Sequence, residues 1–313
     1  MTEDPTPPNP STRQPSEQSQ RPEQPQHSSL SGAPGDGVSP TSRTHTMQDG
    51  PGAAPEEWAA AGLRLDIAGE TATVTLCRPE RRNSQTPALW RALAAVGRAL
   101  PGNVRVVVLR AEGKSFSAGL DRSAFTAEGI PGERSFLDLA RGDDAVADAV
   151  IAGYQEAFTW WRRPDLLTVA AVHGHAVGAG FQLALACDLR VCAEDASFAM
   201  RETSLGLVPD LAGTKPLVEL VGRARALEIC VTGRWVGAEE AERIGLANLV
   251  VPAADLDAAV SDLTAALLAA PRDAAVETKA LLASASGNTY DAQRAAERAA
   301  QLRRLRDLSG LAD

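Results

Sequence analysis

The sequence has no apolar run approaching the roughly 18 residues that a membrane-spanning helix requires. Its first residues lack the basic stretch and apolar core of a secretory leader. Positive charge is also short. Lysine and arginine number 31 against 40 acidic residues, a net charge of −9, which argues against a broad electrostatic grip on nucleic acid or anionic lipid. The four cysteines (Cys77, Cys187, Cys192 and Cys230) are scattered, and free thiols in a reducing cytoplasm fit them better than a disulfide framework. Cys187 and Cys192 lack zinc-site spacing, and of the four histidines only His173 and His175 lie outside the N-terminal tail, so no metal is expected. The expected setting is cytoplasmic, with neither membrane nor nucleic acid as partner.

Aromatic residues are missing altogether from residues 1–55, which hold eleven of the 20 prolines. Such a segment buries too little surface to offset the cost of ordering it, so a disordered Pro/Gln/Ser-rich tail is expected there. Met47, just before the body begins, is a second candidate start of translation. The remaining 258 residues suffice for one folded body.

That body alternates strand and helix signals, the mark of an α/β protein. Residues 63–67 and 71–77 predict a hairpin, and 86–100 a helix with Pro87 in its first turn. Val104–Leu109 and Leu167–Val172 are runs typical of strands buried on both faces. Helices are predicted over 145–163, with Val146, Val150, Tyr154 and Phe158 on one stripe, and over 178–187. A strand follows at 189–192, then helical segments at 224–231, 238–244, 256–268, 274–283 and 291–305. Residues 122–144 are expected to form an exposed insertion.

Two glycine-containing loops follow the buried strands: Gly113-Lys114-Ser115-Phe116-Ser117-Ala118-Gly119-Leu120-Asp121 and His173-Gly174-His175-Ala176-Val177-Gly178-Ala179-Gly180. Small residues let a ligand approach the backbone, and free N–H groups at a helix start attract developing negative charge. Rival motifs fail on detail. A P-loop needs glycine where Val108 stands, and a dinucleotide fingerprint needs a small residue where Leu183 stands. Ser115 and Ser117 lack the support of a nucleophile elbow.

Phe116–Asp121, Ala170–Gly180 and Ala186-Cys187-Asp188-Leu189-Arg190, with Cys77–Ser84, Leu205–Pro209, Gly222–Glu228 and Glu240–Ala247, resemble the crotonase (enoyl-CoA hydratase/isomerase) superfamily. The resemblance implies a spiral of β-β-α turns over 56–255, and C-terminal helices over 256–313 that assemble a homotrimer or a hexamer. It implies an acyl-CoA thioester as substrate, with coenzyme A entering as part of that substrate and no permanently bound cofactor. Two backbone N–H groups, those of Leu120 and Ala179, would hold the thioester oxygen. The implied coenzyme A contacts are Arg81, Arg82, Asn83, Ser84, Ala118, Asp121 and Gly178, with Lys279 reaching a neighbouring subunit's coenzyme A phosphate.

The same resemblance locates the acid–base groups. Hydratases of the family place one Glu after the second glycine loop and another before the Leu-Gly segment. Here those positions are Gln182 and Glu202, and an amide cannot exchange a proton as a carboxylate does. Asp210, eight residues after Glu202, matches the spacing of the dienoyl-CoA isomerases, which carry Asp where Gln182 stands. The expected reaction is a double-bond shift in an enoyl- or dienoyl-CoA. Glu202 and Asp210 would move the proton, and Gln182 would orient a substrate or a water. Hydration by a single Glu and a non-catalytic acyl-CoA-binding relative are the alternatives.

Overall fold

The computed structural model describes residues 55–126 and 128–310. The expected tail and Met47 lie outside them, apart from Pro55, which starts the short helix α1 (Pro55–Ala60). Strands β1 (Leu63–Ala68) and β2 (Thr71–Leu76) make the expected hairpin, pairing Leu63 with Leu76 and Ala68 with Thr71. Helix α2 (Pro87–Ala99) follows. The Thr86 hydroxyl caps it by accepting from the Leu89 N–H, and Pro87 occupies a first-turn position where no N–H is needed. Then come β3 (Val106–Ala111), α3 (Phe136–Ala140) and α4 (Asp144–Thr159).

Next the chain turns twice between two sheets. Strand β4 (Leu167–Val172) joins the larger sheet, β5 (His175–Val177) the smaller, and α5 (Ala179–Ala186) closes the first turn. Strands β6 (Leu189–Ala193) and β7 (Ser197–Ala199) repeat the step. Helices α6 (Thr214–Val221) and α7 (Arg223–Thr232), strand β8 (Val236–Gly237), helix α8 (Ala238–Arg243) and strand β9 (Leu249–Val251) complete the body. The chain ends in α9 (Leu256–Ala269), α10 (Arg272–Ala285) and α11 (Tyr290–Leu308). The larger sheet has the order β1-β2-β3-β4-β6-β9 and is parallel after the hairpin; the smaller has the order β5-β7-β8. This is the expected α/β architecture of β-β-α turns.

Alternation along the central strands divides the apolar residues between two layers. Val107, Leu109, Ala170 and Val172 face the main core with α2, α4 and α5. Val106, Val108, Val169 and Ala171 face the other way, onto Leu256 and Val260 of α9. Helix α5 is buried on every side, so it takes its orientation from its surroundings and is held as a fixed strut. In contrast, α10 buries no residue fully and α11 only Ala300.

Several expectations need correction. The insertion is largely exposed, as expected, but it is anchored: Phe136 packs on Phe125, Trp90 and Tyr154, and Leu139 and Ala124 are buried. The α4 stripe reaches the core in its second half, where Phe158 is buried and Tyr154 packs on Trp90, while Val146 at its start is exposed. Lys279 folds inward. Its ammonium donates to Asp188 Oδ2 at 2.7 Å and to the Leu166 carbonyl at 2.6 Å, tying α10 to the sheet instead of reaching out to a phosphate.

Candidate active site

The two glycine loops are held side by side. The Ser117 N–H donates to the His175 carbonyl (2.9 Å) and the Val177 N–H to the Ser117 carbonyl (3.0 Å), a short parallel bridge between the loops. A buried polar network stiffens the first loop from beneath. Trp90 Nε1 donates to Gln85 Oε1 (2.7 Å), Gln85 Nε2 to Ser117 Oγ (3.2 Å), and Ser117 Oγ to the Asn83 carbonyl (2.7 Å). With every partner satisfied, such a network fixes one geometry. It also occupies the Ser117 hydroxyl, which therefore has no role as a nucleophile.

Gln85 sets the direction of the Leu120 N–H. The Gln85 N–H donates to the Gly119 carbonyl and its carbonyl accepts from the Asp121 N–H, both at 2.8 Å. Successive peptide groups of an extended segment point to opposite sides, so the Leu120 N–H faces away from Gln85. It has no acceptor among the described residues, and neither has the Ala179 N–H at the first turn of α5. The α5 dipole adds positive potential at Ala179. Gly119 joins the two donors: a Cβ there would lie 3.6 Å from the Ala179 nitrogen.

Glu202 sits beside this pair. A Cβ on Gly178 would lie 3.2 Å from Glu202 Oε1. Gln182, fully buried, donates from Nε2 to the same oxygen at 2.7 Å. Glu202 Oε2 is buried without a hydrogen-bond partner among the described residues. Burial pushes the Glu202 carboxyl above its ordinary range; the Gln182 hydrogen bond pulls it back, and the negative charge of Asp210 pushes it further up. Burial likewise raises the Asp210 carboxyl. These are two carboxyls in one connection, between β7 and α6, and both hold a proton above the ordinary carboxyl range.

Asp210 begins a strained loop. Ala212 adopts a left-handed backbone (φ 61°), which costs a residue bearing a Cβ about 1–2 kcal/mol. The loop is pinned from both sides. Gln182 Oε1 accepts from the Leu211 N–H (2.9 Å) and the Gly213 N–H (3.3 Å). Gln155 on α4 donates to the Asp210 carbonyl at 2.6 Å. The sequence reading missed Gln155, because a glutamine in a helix carries no signal for a partner 55 residues away.

The residues expected at coenzyme A divide by environment. Arg81 and Arg82 are exposed on the rim beside Ser84, and the Arg82 carbonyl accepts from the Ala118 N–H (2.8 Å). The Asn83 side chain is used internally, with Oδ1 accepting from the Arg78 N–H and Nδ2 donating to the Glu112 and Ser115 carbonyls. Asp121 caps the turn at 122–125. Burial acts against its charge, but hydrogen bonds from Ser123 and Ser84 hold its carboxyl below the usual range. Gly178 lies against the Glu202 carboxyl.

Comparison with known proteins identifies the family. A family model described as enoyl-CoA hydratase/isomerase matches residues 66–305. A mitochondrial Delta(3,5)-Delta(2,4)-dienoyl-CoA isomerase of Dictyostelium discoideum is 30% identical over 202 residues, covering 61% of this chain and 65% of its own length. A Rhizobium meliloti protein assigned as an enoyl-CoA hydratase is 34% identical over 192 residues, covering 60% of this chain and 68% of its own length. A Thermobifida fusca protein assigned to the same activity, solved in complex with CoA, is 51% identical with a TM-score of 0.79, over 82% of this chain and 98% of the other.

Proposed function

Given that the chain belongs to the enoyl-CoA hydratase/isomerase family of enzymes, we propose that it shifts a double bond along the acyl chain of an enoyl- or dienoyl-CoA through an enolate. Glu202 Oε2 takes a proton alpha or gamma to the thioester. The C–H electron pair enters the conjugated system, and charge gathers on the thioester oxygen. The Leu120 and Ala179 N–H groups donate to that oxygen as an oxyanion hole. Each such donor is typically worth about 3–4 kcal/mol of barrier. Asp210 or Glu202 returns a proton at the far end of the conjugated system, so no water is consumed.

The observation that carries this reading is the identity of the group facing Glu202: the Gln182 amide, and not a second carboxylate. Asp210 is the other proton-holding group. The name of the Dictyostelium relative supports the same direction. Coenzyme A would lie over Arg81, Arg82, Ser84 and Ala118, with its phosphates toward the exposed guanidiniums. That substrate class is supported by the CoA complex of the Thermobifida fusca protein. A homotrimer or hexamer would use the apolar residues exposed on α10 and α11, among them Leu282, Leu302 and Leu305.

The test is turnover of 2-enoyl-, 3-enoyl- and 3,5-dienoyl-CoA by the purified chain, beside Glu202→Gln and Asp210→Asn. Loss of turnover in Glu202→Gln is expected; full activity in both variants contradicts the assignment. Hydration by Glu202 alone is the second reading, favoured by the hydratase assignments of the Rhizobium and Thermobifida proteins.

A further inference from the structure

We infer that Gln182 is a positioning residue that couples the two carboxyl-bearing segments, and does not itself contact substrate or water. The inference rests on the reading of Glu202 as the base. Gln182 is buried, and both ends of its amide are committed inside the protein. Nε2 holds Glu202 Oε1, and Oε1 holds the N–H groups of Leu211 and Gly213, just after Asp210. The pattern fixes which end of the amide is which: an amide oxygen accepts from two N–H groups, and an amide nitrogen donates to a carboxylate. Gly213 closes over the side chain, because a Cβ there would lie 2.7 Å from Gln182 Cγ.

Two consequences follow. First, Glu202 is made asymmetric. Its Oε1 is tethered, so Oε2, buried and without a partner among the described residues, is the oxygen presented for proton transfer. Second, the strained Asp210–Gly213 loop is fastened to the same side chain that fastens Glu202. The distance between the two proton-holding groups is then set by one rigid amide on α5. Gln155, gripping the Asp210 carbonyl from α4, braces the loop from its other side.

The experiment compares kcat, KM and the pH profile of kcat/KM for the full-length wild type, Gln182→Met and Gln182→Glu, on the enoyl-CoA thioester that the wild type turns over. Binding of acetoacetyl-CoA serves as the check on folding. Gln182→Met removes a donor that favours the charged form of Glu202, so the acidic limb of kcat/KM moves to higher pH. kcat falls roughly 10–100-fold, the rate equivalent of one hydrogen bond to a charged group. KM and acetoacetyl-CoA affinity stay within about twofold, since uniform binding is untouched. Gln182→Glu keeps the size and one acceptor, and is read in place of Gln182→Met should that variant not fold. It sets two carboxyl oxygens at a hydrogen-bond distance, so they must share a proton, and the acidic limb moves up as well. An unmoved acidic limb with a raised KM overturns the inference and makes Gln182 a substrate contact. An unchanged enzyme overturns it too. Failure of the underlying reading shows separately, as retained turnover in Glu202→Gln.

Discussion

A methyl group on Gly119 would fall 2.5 Å from the carbonyl oxygen of Val177, so the two donor loops touch at this point with no room to spare. The Gly119 backbone is also left-handed (φ +83°), where a side chain is strained whatever the space. The spacing of the Leu120 and Ala179 N–H groups therefore depends on a missing side chain.

Gly119→Ala pushes the loops apart and misplaces one donor. The expected effect is a fall in kcat/KM on the order of 10²-fold, as a 1 Å displacement of catalytic groups produces. Steady-state kinetics on the turned-over thioester check it, and near-normal activity would show that the loop contact does not set the donor geometry.

The raised carboxyls predict opposite demands from catalysis and stability. A base must be ionised, so activity rises with pH through the Glu202 range. The fold binds more protons than the unfolded chain wherever these carboxyls titrate above their ordinary values near 4, so stability falls as pH rises through that window. Glu202→Gln removes the penalty and is expected to stabilise the protein at neutral pH by up to about 1 kcal/mol while abolishing turnover. Urea unfolding at several pH values measures it; a destabilised variant at neutral pH contradicts this account of the site.

Lys279 is predicted to act on stability. Its side chain is about one-tenth exposed, and its removal takes from Asp188, itself bonded to the Thr168 N–H and hydroxyl, the one cation paired with its carboxylate among the described residues. Lys279→Met should cost about 2–3 kcal/mol, at or below the low end for a fully buried pair because Asp188 keeps some solvent. An unchanged unfolding midpoint with weakened coenzyme A binding would return Lys279 to the phosphate role.

The parts of the fold legible in the sequence were those carried by local pattern. The β-branched run around Val106–Leu109, the Thr86–Pro87 start of α2 and the glycine loop before α5 each state their structure within a few residues. The three-residue strands β5 and β7 and the two-residue β8 did not, because they exist only by pairing with one another. The site divides in the same way. Leu120, Ala179, Glu202 and Asp210 were read from the motif resemblance; Gln182 joins Glu202 to the segment after Asp210, and Gly119 joins the Leu120 loop to Ala179. What Gln182 holds was not legible: its partners lie 20, 29 and 31 residues away, and an amide gives no sign of which end it will commit. The inward pairing of Lys279 was not legible for the same reason, since a helical lysine does not reveal a carboxylate 91 residues earlier.

A proton shift without water leaves its mark in the mass of the product. The purified enzyme is incubated with 3,5-dienoyl-CoA and with 2-enoyl- and 3-enoyl-CoA, and the thioesters are separated and weighed. The expected product has the same mass as its substrate, with the double bond moved, and is formed by the wild type and absent with Glu202→Gln. A product heavier by one water, formed in place of the isomer, would contradict a shift without water.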